Sequence, residues 1–484
     1  MNTPSQPSSS TAAQASTSAS YQVSPQHLAE LQSLLSVDRV LSDPASLNHY
    51  GRDWTKHYEI HPSAVAFPLS TDEVVAVVKW ARKHQIGLVP SGGRTGLSGG
   101  ACALQGEIVV SFEKMNQILN FDAVDRCVDV QAGVVTEQLQ QFARDKGYLY
   151  PVDFAARGSS QIGGNIATNA GGVKVIRYGN TREWVTGLTV VTGMGEVLQL
   201  NSGLVKNATG LDFRHLFIGS EGILGFITEA KIRLTSPPQG TIVMLFAVPD
   251  LSSIMKIYQY FRDRLPLTAF EYFSDLALSH VVNHAHLQKP FATNSPHYVL
   301  VEIEKSNTDV EAMSLECFEH GVGESWILDG AMAQSESQAR DFWRLREDIS
   351  EATAPHTPFK NDVSVRISQV PEFLTRTDAA LKQHYPDFEV VWFGHIGDGN
   401  MHINILKPKD LGRDEFLARC RGVNPVIFSI IQELGGSVSA EHGVGLVKKP
   451  DLAFTRSAAE LQLMKQIKKV FDPDGIMNPG KVFD

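Results

Sequence analysis

At 484 residues, with 43% apolar and 20% charged side chains, the chain has the composition of a globular protein rather than of a disordered or fibrous one. A formal charge of −10 without any run of Lys or Arg excludes a nucleic-acid-binding face, and no stretch nears the roughly 18 uninterrupted apolar residues of a membrane span. Cys102, Cys127, Cys317 and Cys420 are scattered without the spacing of a disulfide framework or a thiolate metal site, and they fit a reducing, cytoplasmic setting.

Residues 1–20 are Ser, Thr, Ala, Gln and Pro without a charge, so the segment 1–24 is expected to be a disordered tail, with neither a secretory nor a mitochondrial leader pattern. Helical periodicity starts behind Ser24-Pro25 and runs to Ser36. A short strand is expected at 61–68, a helix capped by Ser70 over 74–84, and a strand over 86–90. That strand feeds Ser91–Gly100, five glycines in ten residues, where converging backbone N–H groups can cradle a phosphate. Two further strands, 107–112 and 127–134, and a helix near 137–146 lead to a second glycine segment, Gly158–Gly172, whose small residues allow backbone to approach a large planar ligand. A third, Ile218–Gly225, precedes a strand over 226–234. Three such segments imply a ligand longer than a mononucleotide, yet Gly-x-Gly-x-x-Gly occurs nowhere, so a Rossmann fold has no support.

Pro237-Pro238 ends this unit, giving a first domain at 25–237 and a second at 238–484. The second is expected to be a sheet domain, with strands at 241–248 and 298–304 around a helix at 252–264. A helix over 342–350 puts Arg346 and Ser350, four apart, on one face, and Lys360 follows a loop broken by Pro355 and Pro358. Next come two strand-like runs, Glu389–Ile396 and Met401–Leu406. With Gly397-Asp398-Gly399-Asn400 as the hairpin loop, Ile396 faces Met401, His395 faces His402, and Asn404 shares the histidines' sheet face. After a long helix at 414–434, broken near Gly422 and Pro425, the segment Gly435–Gly445 supplies Glu441 and His442. Two imidazoles and a carboxylate (His395, His402 and Glu441) form a set that holds one divalent metal while leaving positions open; zinc is the first choice, and iron or manganese accept the same ligands. A helix over 458–471 and a turn-rich tail close the chain.

The stretches His-Ile-Gly-Asp-Gly-Asn-Met-His-Ile-Asn at 395–404 and Glu-His-Gly-Val-Gly at 441–445, with the glycine segments before them, resemble the FAD-linked 2-hydroxy-acid dehydrogenases of the vanillyl-alcohol oxidase superfamily, over nearly the whole chain from residue 25. The resemblance implies an α+β fold: an FAD-binding domain of the para-cresol-methylhydroxylase (PCMH) type, then an FAD-linked oxidase C-terminal α/β domain. It places Pro90, Gly92, Gly93, Arg94, Thr95, Gly96, Leu97 and Gly99 at the FAD pyrophosphate. Gly158, Ser159, Gly163, Gly164, Ala167, Thr168, Asn169, Gly171 and Gly172 would lie beside ribityl and flavin. Glu221, Gly222, Gly225 and Ile227 come from the third segment, and Asn478 from the returning tail. It further implies that Arg346, Ser350 (where D-2-hydroxyglutarate dehydrogenases carry Thr) and Lys360 hold the carboxylate remote from the reacting carbon. Asn404 and His442 would contact substrate, with His442 as the base. The implied activity is oxidation of a D-2-hydroxy acid, D-2-hydroxyglutarate ahead of D-malate, with D-lactate or glycolate as the alternative. Electrons would pass to an electron-transfer flavoprotein or a quinone, or directly to oxygen. A non-catalytic flavin- or metal-binding protein is the alternative outside the family, and a homodimer is left open.

Overall fold

The computed structural model describes residues 21–55, 58–306 and 309–484. Most of the expected tail lies outside them, but Tyr21–Ser24 do not behave as tail: the Tyr21 amide donates to Gln105 O, and Ser24 caps the helix Pro25–Leu35 by accepting from the His27 amide.

The described residues form three sheets. The first orders Val40–Leu41, Ala64–Ala66, Ile108–Ser111 and Leu88–Ser91, the last three parallel. Parallel strands must be covered on both faces. The helices Pro25–Leu35 and Thr71–His84 bury Leu31, Leu35, Val74, Val77 and Val78 against them. The second sheet is antiparallel: Ile118–Asp122, Cys127–Gln131, Gly225–Arg233, Val185–Thr192 and Val197–Leu200. Its core takes Leu139 from the helix Thr136–Asp145 and Ile162 and Ile166 from a further helix, Ile162–Thr168. That helix was expected as loop. Its two glycines are poor helix formers, but Gly163 faces Ala132, where a Cβ would come within 2.7 Å, so tight packing outweighs propensity.

The third sheet has seven antiparallel strands in the order Asp329–Met332, Thr241–Val248, His297–Glu304, Leu267–Ser274, Val390–His395, Asn400–Ile405 and Phe359–Ser364. One face packs on the helices Leu251–Arg262, Val370–His384 and Arg413–Glu433; the other packs on Asp275–Ala285 and Glu336–Glu347. Arg413–Glu433 runs unbroken through Pro425, contrary to the expected interruption, since burial of Cys420, Val423, Ile427 and Phe428 on one side holds it together. The helix carrying Arg346 ends at Glu347, and a separate turn, Ile349–Thr353, carries Ser350. The two parts meet through Lys174 Nζ, 2.9 Å from Glu302 Oε1, and Arg177 Nε, 2.8 Å from Glu304 Oε2.

The hairpin register differs from expectation by two. His395 pairs with Asn400, Gly394 with Met401 and Phe393 with His402, so the loop is Ile396–Gly399. Gly399 makes the turn at φ +86°, where a Cβ would sit 2.0 Å from Val365 O. A shift of two preserves side-chain parity, and His395 and His402 therefore still share a face.

Candidate active site

The hairpin face gathers polar groups because strand pairing stacks them. Lys360 lies opposite Asn404 and Asp362 opposite His402, while His395 and His402 meet edge to face with ring centroids 5.5 Å apart. The loop after the long helix brings in Glu441, whose Oε1 is 3.5 Å from His395 Nε2. Candidate ligand atoms of His395, His402 and Glu441 all fall within 4.8 Å of one another. The donor set fits a divalent metal.

Two buried carboxylates that the sequence reading passed over organise this cluster. Asp362 Oδ2 accepts from the backbone amides of Glu441 and His442 at 2.9 and 3.3 Å, and Oδ1 from Asn400 Nδ2 at 2.7 Å. The same carboxylate lies 3.6 Å from His402 Nδ1 and 3.5 Å from His442 Nδ1. Burial alone would raise its pKa, but the two imidazoles and the amide donors hold it well below the usual carboxylate range. Glu271, on the strand Leu267–Ser274, is 2.9 Å from His395 Nδ1 and 2.9 Å from Arg346 Nε. Burial disfavours charge on His395, yet Glu271 and Glu441 more than offset it and raise its pKa to about 9. Burial lifts Glu441 to about 8 against the pull of His395, and it lowers His402 well below the ordinary imidazole value. A lone charge inside the apolar run Leu-Thr-Ala-Phe-Glu-Tyr-Phe is the signal that could have found Glu271. The polar alternation Lys360, Asp362, Ser364 could have found Asp362.

Arg346 is buried over the Phe393 ring, and its Nη2 has no hydrogen-bond partner. Its Nε contact to Glu271 is short but poorly aligned, so it acts as an ion pair more than as a hydrogen bond. Asn404 is buried beside Thr353, its Nδ2 3.4 Å from Thr353 Oγ1. Ser350 is exposed beyond the helix break, and Lys360 is exposed as a residue while desolvation lowers its pKa. Arg346 thus lies within the buried cluster and Ser350 and Lys360 at its edge.

The glycine segments meet one another and the loop that follows His442, with Gly92 beside Gln161, Gly99 beside Leu446 and Gly443 beside Glu221. Gly93 abuts the second segment, where a Cβ would come 2.1 Å from Ser159 O, whereas the Cβ direction of Gly164 is open. Pro90 lies in the strand Leu88–Ser91, and Gly92, Arg94, Thr95, Gly96, Leu97 and Gly99 follow it; Ala167 and Thr168 end the helix, and Asn169 caps it at φ +52°. Ile227 packs into the core of the second sheet. Gln161 Oε1 and Asn478 Oδ1 are buried without partners, as acceptors awaiting a ligand would be. Asn478 Nδ2 meanwhile donates to Gly100 O and Glu221 O, tying the tail to the first and third segments. This open, glycine-lined cradle with unpaired acceptors fits a dinucleotide such as FAD.

Cradle and cluster touch directly. Leu446 and Val447 amides donate to Ser98 O, and Glu221, held in the left-handed region at φ +50°, accepts at 2.7 Å from each of the Val444 and Gly445 amides. Glu221 therefore presents its carboxylate to the His442 loop. A glutamine has only one acceptor where two are used, so Glu221→Gln should cost about 1–3 kcal/mol. Thermal unfolding of the flavin-loaded protein checks this, and an unchanged midpoint would refute it.

Comparison with known proteins agrees with this geometry. Residues 62–201 match the FAD binding domain model, and residues 237–482 match that of the FAD linked oxidases, C-terminal domain. The chain belongs to the FAD-linked oxidase family. It is 55% identical over 454 residues, covering 94% of this chain and 98% of the other, to the D-2-hydroxyglutarate dehydrogenase of Stutzerimonas stutzeri (strain A1501). The mitochondrial D-2-hydroxyglutarate dehydrogenase of Bos taurus is 35% identical over 92% of this chain and 81% of its own. Among solved structures, p-cresol methylhydroxylase with substrate bound superposes with a TM-score of 0.72 at 16% identity, over 95% of this chain and 96% of that one, which shows the shared PCMH-type fold. As in a family of flavoenzymes, this chain is an FAD-dependent oxidoreductase acting on CH–OH donors. Among the described residues no helix is long and apolar enough to cross a membrane.

Proposed function

We propose that the protein oxidises D-2-hydroxyglutarate, with D-malate second, to the 2-keto acid, using FAD and one divalent metal, zinc first, and passing electrons to an electron-transfer flavoprotein or quinone. The observation that carries the substrate reading is the buried guanidinium of Arg346, with an unpartnered Nη2, on the sheet face that also holds His395, His402 and Glu441. When bound, FAD supplies the two-electron acceptor, and a metal on those three residues supplies Lewis acidity for the substrate hydroxyl and its adjacent carboxylate.

The chain's own residues do the rest. The Asp362 carboxylate, 3.5 Å from His442 Nδ1, favours a hydrogen on that nitrogen, which would leave Nε2 to take the hydroxyl proton. Asn404 offers an amide beside the cluster, and Arg346 grips the remote carboxylate, with Ser350 and Lys360 reaching in from the edge. D-Lactate lacks that second carboxylate and would leave the buried Nη2 of Arg346 without a hydrogen-bond partner, a penalty of roughly 1–3 kcal/mol, or about tenfold to a few hundredfold in kcat/KM.

The test is kcat/KM for D-2-hydroxyglutarate, D-malate, D-lactate and glycolate in wild type and Arg346→Ala. The variant should lose the dicarboxylates selectively. A wild type that prefers D-lactate, or a variant that loses mono- and dicarboxylates equally, would sink the reading. The four cysteines are buried and unpaired, which supports a cytoplasmic location.

A further inference from the structure

Glu271 is the most enclosed charge in the cluster, 1% exposed, and no role in binding or chemistry falls to it directly. Its carboxylate faces two different donors. His395 Nδ1 stands 2.9 Å from both oxygens, and Arg346 Nε stands 2.9 Å from Oε2. A carboxylate only accepts, so His395 must carry its proton on Nδ1, which directs Nε2 toward Glu441 and the metal position. A guanidinium held through Nε in an ion pair keeps its Nη groups for another anion, and Nη2 is buried without a hydrogen-bond partner.

We propose that Glu271 is a positioning residue shared between the two ends of the substrate, fixing the ring of the metal ligand His395 and the guanidinium of Arg346 with one carboxylate. It thereby sets the spacing between the group that holds the hydroxy-acid end and the group that holds the remote carboxylate. This makes Glu271 a determinant of dicarboxylate selectivity as well as of metal retention. The inference rests on the substrate and metal reading above and deepens it.

Glutamine tests the sharing because it presents one acceptor and one donor where both partners donate, and because it removes the charge that both partners face. In Glu271→Gln, metal retention measured by elemental analysis after timed exposure to a chelator should fall about 10–100-fold, the usual loss when a second carboxylate behind a metal-bound histidine is removed. With metal added back to saturation, the ratio of kcat/KM for D-2-hydroxyglutarate to that for D-lactate should fall about tenfold, by loss of the charge-assisted anchor of Arg346. Metal loss slows both substrates alike, so the ratio isolates the arginine. Glu271→Asp keeps two acceptors on a shorter stem and should show smaller losses in both quantities; it carries the test if the glutamine variant does not fold.

A wild type with both metal and dicarboxylate preference, beside a glutamine variant that keeps either quantity at its wild-type value, overturns the shared role alone. If only the aspartate variant folds, wild-type values in both quantities overturn it. A wild type that holds no metal and shows no dicarboxylate preference overturns the functional reading and this inference together.

Discussion

Replacing His442 by Asn is expected to lower kcat on the preferred hydroxy acid by about 10²–10⁴-fold, the range typical of a positioned general base. Asn keeps a polar side chain of similar width, but it has no atom that takes a proton near neutral pH. The surroundings argue for a base here rather than for a simple contact. The ring sits at the boundary between cradle and metal cluster, its Nδ1 is 3.5 Å from the buried Asp362, and its own backbone amide donates to the same carboxylate at 3.3 Å. The backbone is thus held by the same carboxylate that faces the ring, which limits the freedom lost when substrate binds. Stopped-flow flavin reduction under anaerobic conditions measures the step itself. Wild-type reduction rates in His442→Asn would remove His442 from the chemistry.

The second large effect concerns the metal. His402→Ala should lose bound metal and lower turnover by about 10³-fold, since Lewis-acid stabilisation of a developing alkoxide contributes several kcal/mol at 1.4 kcal/mol per tenfold. The charge states give this a pH signature. In the metal-free protein His395 holds its proton up to about 9 and Glu441 up to about 8, whereas His402 is already neutral. A ligand must be deprotonated before it binds, so near pH 7 the metal displaces protons from His395 and Glu441. Affinity should therefore rise as pH climbs through 8 and 9 and fall toward pH 6. Titrating zinc into stripped protein at several pH values, with proton release followed in weak buffer, measures it. A pH-independent affinity, or full metal content in His402→Ala, would refute the ligand set.

Much of this was legible in the sequence because glycine segments and histidine pairs sit close together along the chain. The three glycine segments, the shared face of His395 and His402, and the entry of Glu441 with His442 follow from local spacing. The hairpin loop was placed one residue late on each strand without losing the site, since an even shift leaves every side chain on its face. Glu271 and Asp362 were not legible for the opposite reason. Each meets its partners across long separations, 124 residues from Glu271 to His395 and 79 from Asp362 to Glu441, and such pairing is decided by sheet order, which periodicity does not report. The break between Arg346 and Ser350 was hidden for a different reason: both halves have helical propensity, and the chain turns at Asp348 without a glycine or proline to mark it.

The tail that bridges Met477 to Leu88 and donates Asn478 Nδ2 to Gly100 O and Glu221 O also couples cofactor binding to the folding of the whole chain. Asn478 and Gly100 are 378 positions apart, and the His442 loop is joined to the same tail through the Val482 amide on Gly445 O. Contacts of such long sequence separation carry their loop-closure entropy before they contribute stability, so they form late. The cradle therefore closes only when both parts of the fold have formed, and retention of flavin is a readout of the folding of the second part as much as of the first.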